Sequence, residues 1–337
     1  MHRTLAIGKF RIPYKLLGRS GACEIHDRRV ANWLRRNPNS VDLIHAWPLA
    51  SLRTIRVAKS LGIPVMVERI NAHIRFAFEI VEEECRRIGI KLPPGHDHEL
   101  NPASLKREEA EYEESDYLLC PSEFVARTFT EKGFSVDRIL RHQYGFDESR
   151  FRPRDRKEGL RDGKFTAIYA GVCEPRKGLH YALEAWHDSG ACELGEFRIC
   201  GQFVPGYAEK LSKWLSHPSV KVMGHRSDLP ELMRNSDVFI LPSVEEGSAL
   251  VTYEARGSGC VLLVSENSGA PCRHGYDAFL HPIRSKELLT EQLRELSQNR
   301  ELLATMRKRS LETAEEITWS AAGESLAQAY RAVSARA

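Results

Sequence analysis

Features that would mark a membrane, nucleic-acid-binding or disulfide-rich protein are missing from this sequence of 337 residues. The longest apolar runs, such as Val238–Leu241 and Cys260–Val264, have the length of a buried strand, well short of the ~18–20 residues that span a bilayer. The 49 basic and 46 acidic residues leave a formal charge of only +3. Because nucleic-acid binding normally needs a strong basic footprint, we expect no nucleic-acid partner.

Signals for disulfide pairing and for secretion are also missing. The eight cysteines include no Cys-x-x-Cys pair, and several stand in apolar runs, which predicts reduced and mostly buried thiols. The lack of a Cys-x-x-Cys pair also argues against a structural zinc site. The apolar stretch at the N-terminus is too short for a signal peptide. We therefore predict a cytoplasmic protein.

What the sequence does have is the composition of an ordinary globular chain, 42% hydrophobic and 28% charged, with a length that suggests two domains. Short apolar runs such as Val65–Val67 and Thr166–Tyr169 alternate with amphipathic segments, as in parallel sheets with crossover helices. A charged segment with a proline, residues 147–159, predicts an interdomain linker. The predicted fold is α/β, with two doubly wound domains and a ligand site in the cleft between them.

The most informative segment follows the predicted strand Val238–Leu241. Residues 242–255 read Pro-Ser-Val-Glu-Glu-Gly-Ser-Ala-Leu-Val-Thr-Tyr-Glu-Ala, a short polar loop that leads into a helix. Small residues at a helix N-terminus let backbone N–H groups approach an anion, which the helix dipole also favours. The segment therefore predicts a phosphate site, and an ordinary turn between strand and helix is the alternative.

A second informative segment follows the first predicted strand of the second half. Residues 169–178 read Tyr-Ala-Gly-Val-Cys-Glu-Pro-Arg-Lys-Gly, so that Gly171 ends the strand and two cations, Arg176 and Lys177, precede the next helix. Two cations at this place can neutralise a diphosphate leaving group. The alternative is a solvated basic turn.

Taken together, these segments resemble the large retaining family 4 of GT-B glycosyltransferases, also described as glycosyl transferases group 1. Its motif has two glutamates separated by seven residues, here Glu246 and Glu254. Residues 144–153 resemble the family's segment between the domains, and residues 176–178 resemble its Arg-Lys-Gly turn. The resemblance covers roughly residues 140–300.

The resemblance implies a GT-B fold and a nucleotide-sugar donor. It divides the chain into an acceptor-side domain, residues 1–153, and a donor-binding domain, residues 154–318, with a last helix at 320–337 that crosses back to the first domain. Lys177 and Arg176 are then expected at the diphosphate, Glu246 at the transferred sugar and Glu254 at the ribose. The donor-binding set is completed by Gly171 and by three residues whose backbone would cradle phosphate and sugar: Ser248, Ala249 and Leu250.

Two positions depart from the family pattern. Val172 stands where many members have an arginine directly after the first glycine of the second domain. Ser248 and Ala249 replace the common Phe-Gly pair, which changes the shape expected for the sugar pocket.

The first half resembles the family less closely. Gly18 and Gly21, which precede an amphipathic segment, are similar to the glycine loop on the acceptor side. His73 follows the predicted strand that contains Val65–Val67, where the family often places an active-site histidine, so we predict a catalytic role for His73. The alternative is a surface or capping role.

Two further segments suggest other ligands. His96-Asp-His-Glu99 alternates possible metal ligands but follows Pro-Pro-Gly, which favours an exposed loop, and no Asp-x-Asp motif is present. We therefore expect no metal and no cofactor. In residues 9–19, basic and apolar residues alternate, which predicts peripheral contact with the inner face of a membrane or, equally, a loop covering the first sheet.

The sequence thus predicts a metal-independent glycosyltransferase of the hexosyl type. It would move a sugar from a nucleotide-diphosphate sugar to the hydroxyl of a carbohydrate or lipid-linked acceptor, with retention, and Glu246, His73 and Lys177 would be its catalytic residues. Two alternatives remain open on the same architecture: a nucleotide-sugar epimerase, which would consume no acceptor, and a non-catalytic subunit that binds a nucleotide-sugar.

Overall fold

The structure is a computed structural model that describes residues 4–7, 10–154 and 163–335, with side chains from residue 20 onwards. It begins with a hairpin of two antiparallel strands, followed by a helix that carries a break at Gly18. The bounds are β1 Thr4–Ile7, β2 Phe10–Pro13 and α1 Tyr14–Arg36. The predicted membrane contact through residues 9–19 depends on side chains that lie outside the described part of the chain.

The N-terminal domain contains a parallel sheet of four strands in the order β3-β4-β5-β6. Its strands are β3 Ile44–Ala46, β4 Val65–Glu68, β5 Tyr117–Cys120 and β6 Ile139–Arg141, and its helices are α2 Leu52–Ser60, α3 Ile74–Ile88, α4 Pro102–Glu114 and α5 Glu123–Thr130. All four residues of β4 are buried, as expected for a parallel strand that is covered on both faces.

The C-terminal domain contains six parallel strands in the order β12-β11-β10-β7-β8-β9. They are β7 Phe165–Ala170, β8 Gly195–Cys200, β9 Val220–Val222, β10 Val238–Leu241, β11 Val261–Ser265 and β12 Ala278–His281. Successive strands run outwards from β7 on one side and from β10 on the other. The strand order therefore reverses between β7 and β10, where open α/β sheets bind their ligands.

Helices cover both faces of this second sheet, and the last helix leaves it. They are α6 Leu179–Asp188, α7 Ala191–Leu194, α8 Tyr207–Lys210, α9 Ser212–Leu215, α10 Leu229–Arg234, α11 Leu250–Gly257, α12 Lys286–Gln298, α13 Arg300–Glu312 and α14 Trp319–Ser334. Ala329 and Val333 of α14 pack on Met66 and Leu119 of the N-terminal sheet. Helix α14 thus completes the hydrophobic core of the N-terminal domain.

The chain passes between the domains twice, and the two passages lie side by side. The backbone N–H of Phe146 donates to the carbonyl of Ile317 at 3.2 Å, and that of Trp319 donates to the carbonyl of Phe146 at 3.4 Å. A Cβ atom at Gly145 would overlap the backbone of Thr318, so only glycine allows this approach. The domain boundary expected at residues 153 and 154 borders residues 155–162, which lie outside the described part.

Two further findings concern the whole described chain. No helix in it is both long enough and apolar enough to cross a membrane. All eight cysteines fall within it and carry free thiols, five of them buried.

Candidate active site

A cavity of about 660 Å³ opens in the C-terminal domain where the strand order reverses. It lies at the carboxyl ends of β7, β8 and β10 and beside the segment that follows β9. The residues that line it are Ala170, Gly171, Val172, Lys177, Cys200, Gly201, Gln202, His225, Arg226, Leu229, Glu246, Ala249, Leu250 and Val251.

The segment after β7 is held close to the segment after β10. The backbone N–H of Val244 donates to the carbonyl of Arg176 at 2.8 Å, and a Cβ atom at Gly178 would overlap the carbonyl oxygen of Pro242. Gly171 has a φ of 148°, and a Cβ atom there would lie only 3.2 Å from the side chain of Lys177. The two glycines therefore let Lys177 lie against the cavity wall.

Lys177 and Glu246 form an ion pair at the cavity wall. The ammonium Nζ donates to Oε1 of the carboxylate, and both side chains are almost completely withdrawn from solvent. The sequence prediction placed these two residues at one ligand, and the structure does bring them together. The pair gives the cavity one cation and one anion in a poorly hydrated setting, where charges act more strongly than in water.

Arg176 does not line the cavity, which corrects the expectation that it contacts the diphosphate. Its guanidinium is buried among three carboxylates: Nε donates to Glu174 at 2.9 Å, and Nη1 lies 3.2 Å from both Glu245 and Glu246. Nη1 also donates to the backbone carbonyl of Glu245 at 2.9 Å. Because its N–H donors are already engaged, the guanidinium holds the loop between β10 and α11, residues 242–249, which we call the motif loop, rather than an incoming anion.

The N-terminus of α11 points its first turn at the cavity. Leu250 and Val251 line it and occupy the first two helical positions, whose N–H groups have no partner within a helix. The N–H of Ala249 instead donates to the carbonyl of Ser268 at 3.1 Å, which removes Ala249 from the expected backbone cradle. The hydroxyl of Ser248 pairs with Tyr253 at 2.7 Å, and Ser248 does not line the cavity.

Glu254 lies one helical turn after Leu250 and therefore on the same face of α11. It is half-buried, and burial raises the pKa of its carboxyl, against a smaller opposing effect from Arg150. Its contact with a ribose stays a prediction.

His73 is not among the residues that line the cavity. It is the N-cap of α3, where Nδ1 accepts from the N–H of Arg75 at 3.3 Å, and its ring packs against the aromatic rings of Tyr112 and Phe129. Only 3% of its surface is exposed, and burial lowers its pKa to about 3, helped by the charge of Lys132. This geometry matches the capping alternative and gives the catalytic assignment no support.

Gly18 and Gly21 lie inside α1 rather than in a loop. Gly18 has φ 64° and ψ 171°, a conformation that breaks the helix and that glycine adopts readily. The expected glycine loop is therefore a break within a helix.

Three polar side chains at the cavity escaped the sequence prediction: Gln202, His225 and Arg226. Gln202 follows β8, and the other two follow β9. Arg226 is paired with Asp228 at 2.6 Å. Each segment begins with a glycine, Gly201 or Gly224, which was the signal in the sequence for a close approach to a ligand.

Glu245, the residue beside Glu246, joins the two domains. It is completely buried; Oε1 accepts from the N–H of Ala72 at 3.1 Å, and Oε2 lies 3.1 Å from Nε2 of His98. Burial alone would raise the pKa of Glu245, but His98 and the charge of Arg176 hold it at about 2. The carboxylate therefore stays charged between the domains.

A second histidine of the same N-terminal loop makes a parallel contact. Nε2 of His96 lies 3.0 Å from Oε2 of Glu174, and this contact, together with Arg176 and Lys177, holds the pKa of Glu174 at about 2 against the effect of burial. His96 and His98 are thus bound between the domains, whereas Asp97 and Glu99 are exposed, so the expectation of an exposed loop holds only for the latter two. We call the four side chains His96, His98, Glu174 and Glu245 the interdomain clasp.

The backbone also closes the cleft beside the clasp. A Cβ atom at Gly247 would overlap the carbonyl oxygen of Ile70, and the hydroxyl of Ser122 donates to the carbonyl of Gly247. The motif loop therefore touches the N-terminal domain directly.

The N-terminal domain contributes a buried polar cluster around Glu68, the last residue of β4. Its carboxylate accepts from the Tyr144 hydroxyl at 2.5 Å and lies 2.9 Å from Nε2 of His45 and 3.4 Å from Nε2 of His142. Nδ1 of His45 in turn lies 2.8 Å from the hydroxyl of Tyr330 in α14. Burial would raise the pKa of Glu68, but these contacts hold it at about 2.

A cavity at the reversal point of a doubly wound sheet, with a lysine and a helix N-terminus at its wall, has the form of a site for a phosphate-bearing ligand. The domain that holds this cavity matches a known family. Residues 164–299 match the family model described as glycosyl transferases group 1. The match lies in the C-terminal domain and confirms the resemblance that the sequence motifs indicated.

Two curated relatives share parts of this chain. One is the Escherichia coli UDP-Gal:alpha-D-GlcNAc-diphosphoundecaprenol alpha-1,3-galactosyltransferase, 29% identical over 154 residues, which are 40% of this chain and 39% of the relative. The other is the Campylobacter jejuni N,N'-diacetylbacillosaminyl-diphospho-undecaprenol alpha-1,3-N-acetylgalactosaminyltransferase, 29% identical over 104 residues, 30% of this chain and 28% of the relative. The matches thus span well under half of each relative.

Among solved structures, the chain is similar to HepE from Anabaena in complex with UDP. The superposition has a TM-score of 0.67 at 16% identity and covers 90% of this chain and 82% of HepE. This likeness confirms the predicted GT-B fold, with two Rossmann-like domains that face a common cleft.

Proposed function

We propose that this protein is a retaining glycosyltransferase of family 4, which moves a sugar from a nucleoside-diphosphate sugar to an acceptor hydroxyl. The observation that carries the proposal is the Lys177–Glu246 pair at the wall of the cavity, beside the N-terminus of α11. The relatives described above, whose names are those of glycosyltransferases, support the same function.

The diphosphate of the donor would lie between Lys177 and the first turn of α11. When the bond from the anomeric carbon to the diphosphate oxygen breaks, negative charge grows on the leaving phosphate and positive charge on the sugar. The ammonium of Lys177 and the N–H groups of Leu250 and Val251 are placed to stabilise the phosphate charge. Because Arg176 is held by carboxylates, Lys177 is the cation assigned to this task.

Glu246 would face the transferred sugar and Glu254 the ribose. Glu246 accepts from Lys177 through Oε1 and contacts Arg176 through Oε2, so its carboxylate is fixed in place before a sugar arrives. The nucleoside would extend towards Gln202 and His225, at the far wall of the cavity. We propose UDP as the nucleotide because the names of HepE's complex and of the E. coli relative both contain it.

The acceptor would bind on the N-terminal side of the cleft, near the Glu68 cluster and the exposed Trp47, which stacks on His45. We propose a carbohydrate or lipid-linked acceptor in glycan biosynthesis, since the names of both curated relatives specify acceptors linked to diphospho-undecaprenol. In this mechanism the leaving phosphate takes the proton of the acceptor hydroxyl, and the step requires no metal ion.

A nucleotide screen followed by product analysis tests the proposal. UDP, GDP and ADP are added to the protein, and the change in melting temperature is measured; we expect UDP to raise it, since a ligand at 100 times its Kd adds about 2.7 kcal/mol. UDP-sugars are then incubated with and without acceptors. Release of UDP that depends on the acceptor supports transfer, conversion of the sugar without acceptor indicates an epimerase, and no response to any nucleotide contradicts both.

A further inference from the structure

Three possible metal ligands meet at the end of the C-terminal domain that lies opposite the cavity. His187 is near the end of α6, Cys192 is in α7, and His217 precedes β9. The strands run towards the cavity, so residues that precede β8 and β9 lie at the other end of the sheet. The ligand atoms of the three side chains lie within 4.8 Å of one another.

His187 has a buried ring nitrogen that nothing else uses. Its Nε2 atom is withdrawn from solvent and has no hydrogen-bond partner. The imidazole also hydrogen-bonds to the backbone of Trp214, and this bond falls to Nδ1 because Nε2 is unpartnered. A histidine that binds a metal through one nitrogen commonly donates the other N–H to a carbonyl, so His187 is already arranged as a ligand.

His217 is held differently, through its Nδ1 atom. Nδ1 accepts from the N–H of Ser219 at 3.2 Å and lies 2.9 Å from the hydroxyl of the same residue, which accepts from Nε1 of Trp186 at 2.9 Å. These contacts fix the ring, and a metal ion at Nε2 would select the tautomer in which the Nδ1–H donates to the Ser219 hydroxyl. The rings of His187 and His217 have centroids 4.7 Å apart at an angle of 87°, so they do not stack and their nitrogens can converge.

Cys192 supplies the third donor and is only weakly engaged. Its sulfur lies 3.9 Å from the carbonyl of His187 and 3.7 Å from a carboxylate oxygen of Glu193. Burial and the charge of Glu193 raise the pKa of this thiol. A bound metal ion would displace the thiol proton and supply the positive charge that a thiolate needs here.

We propose that His187, Cys192 and His217 form a zinc site with the fourth position taken by water. Two imidazoles and one thiolate are ligands that Zn²⁺ prefers. Tetrahedral zinc places such atoms about 3.3–3.6 Å apart, which the short α7 and the turn that carries His217 reach by small shifts. The site lies away from the cavity, so its role is structural: it ties the segment after α6 to the segment before β9.

The sequence argued against structural zinc because no Cys-x-x-Cys pair is present. That argument applies to zinc sites whose ligands come in closely spaced pairs in the sequence. Here the three ligands come from segments that only the fold brings together, and their spacing carries no local signature.

Zinc binding by the full-length protein tests the proposal. The protein is stripped with a chelator in a phosphine reductant, dialysed and titrated with ZnCl₂ while bound metal and melting temperature are measured. We expect one zinc per chain and a rise of several degrees in melting temperature. With Co²⁺ instead, we expect a thiolate charge-transfer band, which reports directly on a cysteine ligand.

Two variants and one control decide the assignment. C192S and H217Q should each lose the stoichiometric zinc, and C192S should lose the charge-transfer band. C272S, which changes another half-buried thiol outside the cluster, should keep all three signals. If C192S fails to fold by circular dichroism, H217Q tests the same site through its zinc stoichiometry. Wild-type protein that binds no zinc, or variants that bind as much as the wild type, would overturn the proposal.

Discussion

The two domains carry their polar residues in different ways. In the C-terminal domain, the functional side chains stand on short segments directly after strands β7 to β10, and one continuous stretch of chain builds the whole sheet. The N-terminal domain has four parallel strands, a buried polar cluster around Glu68 and a core completed by α14 from the other end of the chain. The comparison teaches that the C-terminal domain is encoded locally, whereas the N-terminal domain depends on distant parts of the sequence.

Removing residues 319–337 should have the largest effect and separate the two domains. Met66 and Leu119 would lose Ala329 and Val333 as packing partners, so we expect transfer activity to disappear. The C-terminal domain, which keeps its own core, should still bind UDP, as measured by titration calorimetry. If the shortened protein keeps transfer activity, the dependence of the N-terminal domain on α14 is contradicted.

Lys177→Ala should lower kcat by roughly 10²–10³-fold, because the leaving phosphate loses the charged donor assigned to it at the cavity wall. A transfer assay under saturating donor measures the loss. Lys221→Ala, which removes an exposed lysine of β9, is the control and should behave as wild type. Near-normal turnover in Lys177→Ala would show that another group stabilises the phosphate.

His98→Ala should destabilise the contact between the two halves. It leaves Oε2 of the buried Glu245 carboxylate without its histidine partner, while Oε1 keeps the N–H of Ala72, and the loss costs about 1–3 kcal/mol in the free energy of unfolding. Chemical denaturation measures this difference. His98→Gln, whose amide can still donate to Glu245, should recover most of the lost free energy of unfolding. If it does not, the hydrogen bond to Glu245 is not the source of the stability that His98 provides.

His73→Asn should have the smallest effect at neutral pH, since asparagine can also cap α3. The pKa of His73 is about 3 in the folded protein, below its usual 6.5, so the folded state binds fewer protons than the unfolded state between these values. This contribution to stability is present above pH 6.5 and is lost as the pH falls towards 3. The variant should show a shallower loss of stability with acid over that range.

Activity provides the second measurement on the same variant. If His73 only caps α3, His73→Asn keeps most of the wild-type transfer rate. A loss comparable to that of Lys177→Ala would instead restore the catalytic role that the sequence suggested.

The sequence predicted well those elements whose structure depends on the pattern of apolar and polar residues close together in the chain. The strand Val238–Leu241 and the helix that follows it from Leu250 depend on residues close to one another in sequence. The expectation that Lys177 and Glu246 serve one ligand came from the family resemblance instead. The strands predicted at Val65–Val67 and Thr166–Tyr169 are β4 and β7, which are slightly longer, Val65–Glu68 and Phe165–Ala170, because the ends of a strand are set by pairing with its partner strand.

What was missed depends on partners that are far apart in sequence. Arg176 looked like a free cation, since nothing local shows that Glu174, Glu245 and Glu246 surround it. The short strands β6 and β12 have three and four residues, too few for the alternation of apolar and polar residues to be recognised in the sequence. The segment at His96 and His98 looked exposed because its partners lie in the other domain.

The return of α14 also bears on the order in which the chain is made. A ribosome delivers the N-terminal sheet first, yet the helix that covers one of its faces is synthesised only after the whole C-terminal sheet. Domains generally fold as units during synthesis, starting from the N-terminus. Here we expect the reverse: the C-terminal domain folds first, while Met66 and Leu119 stay uncovered until α14 has been synthesised. During that interval the nascent protein offers an apolar sheet face to chaperones or to neighbouring chains.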